Sequence, residues 1–133
     1  MILVDQDDLL RALKRFKGIA KQDLLLAEQN LKAEFRKTHA EARRESYTRL
    51  IEMVEESGIE NACVFAFSEY LNLPVCPTQD PVMEGHIQAL EMFFTAVGIE
   101  PDKLKMSKSE HIGFTELMLN PVETLDCYAQ SNH

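Results

Sequence analysis

No tryptophan, no Cys-x-x-Cys pair and no glycine-rich loop occurs in this sequence. Each absence removes a class of function. Cys63, Cys76 and Cys127 are odd in number and unpaired in spacing, which argues against a disulfide framework and a zinc site. Free thiols in a reducing cytoplasm are therefore expected. The five glycines are scattered, so no loop is built to cradle a phosphate. Apolar runs are only a few residues long, too short to span a bilayer, and no membrane partner is expected. The opening MILVDQDDLL carries acids where a signal peptide needs bases. Basic residues are missing from a long stretch as well. No arginine follows Arg49, and between Leu50 and Asp102 there is no lysine or arginine. Nucleic acid is disfavoured as a partner, because its affinity comes largely from neutralised phosphates.

What is present fits one globular domain over residues 1–133. That length buries about two-thirds of its unfolded surface, enough for a core without staples. The net charge of −8 is unevenly placed. Residues 1–57 hold 11 acids and 11 bases, whereas residues 58–133 hold 11 acids and 3 lysines. The second half therefore offers an acidic surface suited to cationic partners, or to solubility.

The stretch 20–57 is free of proline and glycine and rich in strong helix formers. As one helix it would reach roughly 57 Å, about twice the width of a small domain. Leu24, Leu31, Phe35, Thr38, Ala42 and Met53 fall on one stripe. The stripe is thin in its middle. Either that middle stands in water, or its small residues let another helix come close. Lys32, Arg36, Lys37, Arg43 and Arg44 lie on one broad face with His39 at its edge, and Glu34, Glu41, Glu45 and Glu52 line another. Glu28–Lys32 and Glu45–Arg49 are spaced as i,i+4 pairs.

Around this spine the pattern gives an all-α fold of five or six helices. A first helix over 5–16 ends at Gly18-Ile19, and Gly58-Ile59 and Gly98-Ile99 read as the same kind of stop. Residues 60–73 are apolar on almost every side, so they are expected near the centre of the core. A proline loop over 74–81 leads into a helix reaching about Val97, with Thr78 or Asp80 as cap and Pro81 in the first turn. Residues 100–108 read as a polar connector, followed by a short helix over 109–119 and a last turn or two after Pro121.

Chemistry is sparse. None of His39, His86, His111 and His133 is preceded at three residues by Glu, the spacing of di-iron bundles. Glu52/Glu55 and Glu123/Asp126 are i,i+3 acidic pairs of the kind that can share a hard cation, but 22 acids make such pairs common. No cofactor, no metal site and no catalytic residue is assigned. The expected function is non-catalytic protein–protein interaction, as a regulator, inhibitor or adaptor. The partner is a protein with a basic surface, or a second copy, since an over-long helix leaves its seam uncovered and a homodimer would cover it. The candidate binding residues are Lys32, Arg36, Lys37, His39, Arg43 and Arg44 on the basic side, with Glu52, Glu55, Glu56 and Glu91 on the acidic side. The alternative is a divalent-metal enzyme or small-ligand binder built on those four glutamates.

Overall fold

The structure, a computed structural model, describes residues 4–28, 34–74, 79–109 and 113. Among them every regular element is a helix: α1 (Gln6–Glu28), α2 (Glu34–Asn72), α3 (Pro81–Ala96) and α4 (Pro101–Ser109). No described helix is long and apolar enough to cross a membrane. Of the short helix expected over 109–119, Ser109 is the last residue of α4, and all the rest but Gly113 lie outside the described residues, as do the turn after Pro121, Leu31 and Lys32.

Helix α1 runs through Gly18, where the sequence places a stop. Gly18 costs about 1 kcal/mol relative to Ala in a helix. Beyond it, Ala20 and Leu24 continue the buried face begun by Leu9 and Leu13, and that burial outweighs the cost.

The uninterrupted helix expected over 20–57 does not form. Arg43 Nη2 lies 2.6 Å from Asp23 Oδ2. Residues 20 apart in a straight helix would stand about 30 Å apart. The Phe16 and Tyr47 rings also meet, with centroids 5.7 Å apart. Residues 34–57 therefore lie antiparallel against α1. High helix propensity over 20–57 is a weak preference, and laying two apolar faces together overrides it.

Gly58 interrupts α2 with φ 86° and ψ 171°, a conformation that glycine adopts without steric cost. The arms 34–57 and 59–72 fold back on each other there, because Arg49 Nη1 reaches Glu69 Oε1 at 3.3 Å. Arg49 thus pairs across the hairpin and not with Glu45. The stop at Gly58 stands where the sequence puts it. Gly98 (φ 100°) closes α3 in the same spirit: Gly98 N–H donates to Thr95 O, and Ile99 N–H to Phe94 O at 2.9 Å. Ile99 is buried just beyond. At its other end α3 is capped by Asp80, whose Oδ1 accepts from Val82 N–H at 2.9 Å and Met83 N–H at 3.4 Å.

The arm 34–57 meets α1, the 59–72 arm and α3. The 59–72 arm buries Ala62, Cys63, Ala66, Phe67 and Tyr70 in the core and leaves Val64 and Leu71 exposed on its other face. Phe67, Phe94 and Phe93 stack edge to face across the core, at 6.3 and 5.3 Å between centroids. The stretch expected as a polar connector is α4: Pro101 opens it, and Leu104 is fully buried. Lys108 Nζ then donates to the carbonyls of Leu73 and Pro74 at 2.8 and 3.1 Å, and sits 4.2 Å from the Tyr70 ring centroid. A cation at those last carbonyls is favourable for the 59–72 arm.

The thin middle of the stripe has a use. Ala42 is buried against Gly85 of α3, and a Cβ built on Gly85 would stand 2.6 Å from His39 O and 2.8 Å from Ala42 Cβ. Of the two readings open to the sequence, close approach of a second helix is the one adopted. We expect Gly85→Ala to lower unfolding free energy by about 1–2 kcal/mol in urea melts, overpacking outweighing the gain in helix propensity. Ala42→Gly should not rescue it, because the tighter contact is to a backbone oxygen. A more stable Gly85→Ala protein would contradict this packing.

Candidate binding groove

Helix α1 and the arm 34–57 part near their ends to form a groove of about 310 Å3, lined by Asp23, Leu26, Ala27, Phe35, Arg36, His39 and Arg43. Two elements supply it. From α1 come Asp23, Leu26 and Ala27. From α2 come Arg36, His39 and Arg43, which share one face because they are three, four and seven residues apart, and Phe35, four residues before His39. Leu26 is 65% exposed and Phe35 50%, so apolar surface lies open here. The Phe35 and His39 rings stack at 18° with centroids 6.2 Å apart.

The electrostatics are set by Arg43. Its side chain is only 12% exposed and holds Asp23 through one guanidinium nitrogen. The Arg43 Nε is buried and has no hydrogen-bond partner among the described residues. Arg36 is exposed and forms no ion pair among them. His39 is pushed below its usual pKa by burial first and by the Arg43 charge second, against the pull of Glu84 and Asp23. It is therefore largely neutral at pH 7, and two arginines against one aspartate leave the groove a net positive charge.

Three of the candidate residues, Arg36, His39 and Arg43, thus come together. Lys37 and Arg44 do not line the groove, and Lys32 lies outside the described residues. The broad basic face expected along the helix is divided, since Arg43 turns inward to Asp23. Glu52, Glu55 and Glu56 are exposed nearer Gly58, and Glu91 is half-buried on α3. Among the described residues no three His, Cys, Asp or Glu side chains gather to hold a metal ion, so these four glutamates make no such cluster.

Asp23, Leu26 and Ala27 were missed by sequence reasoning, because a continuous helix would carry them far from Arg43. One signal was available. Leu24, Leu25 and Leu26 are consecutive, and three neighbours on a helix cannot share one seam. Only Leu24 is buried.

A second polar contact joins the arm 34–57 to α3, where the Ser46 hydroxyl and His86 Nδ1 stand 2.5 Å apart. Beside them is a cavity of about 50 Å3, lined also by Arg49, Leu50, Phe65, Glu69, Leu73 and Leu90. Ser46 is 3% exposed, so its hydroxyl is held within the packing between the two helices. Burial first and Arg49 second push His86 below its usual pKa, opposed by Glu45, Glu69 and Asp80. The Cys63 thiol in the core is raised to about 12, by burial and then by Glu60, which leaves it unreactive.

The two lowered histidines fix a pH dependence. Each binds a proton less readily folded than unfolded, so the unfolded chain takes up more protons as pH falls through 6.5. Stability is full above that value and declines below it. One proton gives at most about 1.4 kcal/mol per pH unit, and solvent screening at these half-buried rings reduces it. Urea melts at about pH 7.5 and 5.5 should show this loss, and His86→Gln should flatten it. An unchanged slope in that variant would contradict the assignment to His86.

Comparison with known proteins places nothing beside this chain: no family model, no curated protein and no solved structure matches it.

Proposed function

We propose that this protein acts by binding another protein, as a regulator, inhibitor or adaptor, and not by catalysis. The observation that carries the reading is the groove. Exposed Leu26 and Phe35 supply apolar area, while Arg36 and Arg43 supply positive charge beside it. Apolar surface open to water and framed by charge is the form that interaction surfaces take. An acidic segment bearing apolar side chains is the partner that fits. A reducing, cytoplasmic setting belongs to the proposal, in keeping with Cys63 as a free thiol in the core.

A partner with a basic surface is the second reading. Glu52, Glu55 and Glu56 are exposed and form no ion pair among the described residues, so they are open to a cation. Self-association needs a different basis from the one the sequence offers. The projecting helix that argued for a homodimer folds back, and its seam residues Leu24 and Ala42 are buried within the chain. A second copy would instead have to cover Leu25, Leu26 and Phe35, which are exposed.

The test is recovery of a stoichiometric partner from a native lysate at low salt, in parallel with two variants. Loss of that partner with Phe35→Ser/Arg36→Glu and its retention with Glu55→Lys/Glu56→Lys would support the groove. The reverse pattern would sink the groove and favour a basic partner at the acidic end. Retention by both variants would remove both surfaces. Light scattering at ~100 μM reads self-association separately, and a dimer dissociated by Phe35→Ser would identify a second copy as the occupant.

A further inference from the structure

The groove has an unequal balance of donors and acceptors. Arg43 is nearly enclosed, bonds Asp23 with one nitrogen and keeps a buried Nε without a hydrogen-bond partner among the described residues. An unmade hydrogen bond at a buried charged group is unfavourable. Arg36 lies two helical turns away along the same groove and is unpaired among the described residues. Among the described lining residues the carboxylate is that of Asp23, which is 46% exposed and answers part of this charge, while Glu84 acts on His39 from outside the lining. Leu26, Ala27 and Phe35 line the same groove.

We propose that the groove recognises a carboxylate carried next to an aromatic or branched aliphatic side chain, as presented by an acidic segment of a partner protein. This rests on the binding reading above and names the chemistry that the groove selects. The carboxylate accepts from the exposed Arg36 and offsets the charge that Asp23 leaves on Arg43, whose enclosed Nε is not among its donors. The apolar side chain covers Leu26 and Phe35. Neither half suffices alone. A bare anion gains little from partly exposed arginines in water. An uncharged apolar group leaves the guanidinium nitrogens as they are. The Phe35–His39 stack adds selectivity, because it sets a flat ring at the groove wall for another ring to meet.

The experiment uses two probes of one shape on the full chain, followed by 1H–15N NMR. N-acetyl-phenylalanine carries ring and carboxylate, and N-acetyl-phenylalaninamide carries the ring alone. We expect the acid to shift the amides of Leu26, Phe35, His39 and Arg43 saturably in the millimolar range. The amide should bind about tenfold more weakly, the difference expected of one charge-assisted hydrogen bond. Arg36→Gln leaves the enclosed Arg43–Asp23 pair intact, so the fold persists, and it should bring the acid towards the affinity of the amide. Equal binding of acid and amide would overturn the carboxylate. An acid whose affinity is unchanged in Arg36→Gln would overturn the assigned arginine. Absence of groove shifts at ~10 mM acid would overturn the proposal as a whole. These outcomes are independent of partner recovery: a partner lost on mutating the groove, with no probe binding, leaves the interaction reading standing and removes only the chemistry named here.

Discussion

The small side chains in the middle of the arm 34–57 are the constraint on which the rest depends. Ala40, Ala42 and Ser46 are all buried, and none projects far from the helix axis. Neighbouring helices can therefore approach to backbone distance. Gly85 answers from α3, with no side chain at the point of nearest approach. Once α3 is seated there, His86 reaches Ser46, and Phe94 reaches Phe67 across the core. A large residue at position 42 or 85 would hold the two helices apart and weaken both contacts. The polar character of the stretch RKTHAEARRES is thus compatible with a central place in the fold, because the buried positions within it are small rather than apolar and bulky.

The same arm carries both surfaces proposed for binding. Its N-terminal half turns Arg36, His39 and Arg43 into the groove against α1, and its C-terminal half exposes Glu52, Glu55 and Glu56. The two ends differ in kind. At the groove, apolar surface accompanies the charge, and an ion pair with the half-exposed Asp23 holds the buried Arg43 in place. At the acidic end the carboxylates stand in water, where individual attractions are small and screened by salt. Shape and charge are combined at the first surface, whereas the second offers exposed charge.

Local structure was legible to the extent that it depends on neighbours in the chain. The left-handed glycines at 58 and 98, the Asp80 cap with Pro81 behind it, and the all-α class follow from conformational limits and hydrogen bonds between residues a few positions apart. Gly18 shows where that logic fails. Its sequence context resembles the other two stops, yet α1 continues because Ala20, Leu24 and Ala27 have a partner surface to bury against. Residues 101–109 fail in the opposite direction. They look polar, yet Leu104 and Ser107 are both buried.

The sequence by itself determined the helical class, two of the chain's reversals in conformation and the inventory of charge, because each is settled within a turn or two of helix. Tertiary structure decided which charges meet. Asp23 faces Arg43, and Arg49 faces Glu69, each across 20 residues of chain. A helix that continues and a helix that folds back carry the same local pattern of apolar residues. They differ only in which distant faces are buried together, and that free energy appears only once the whole chain is assembled.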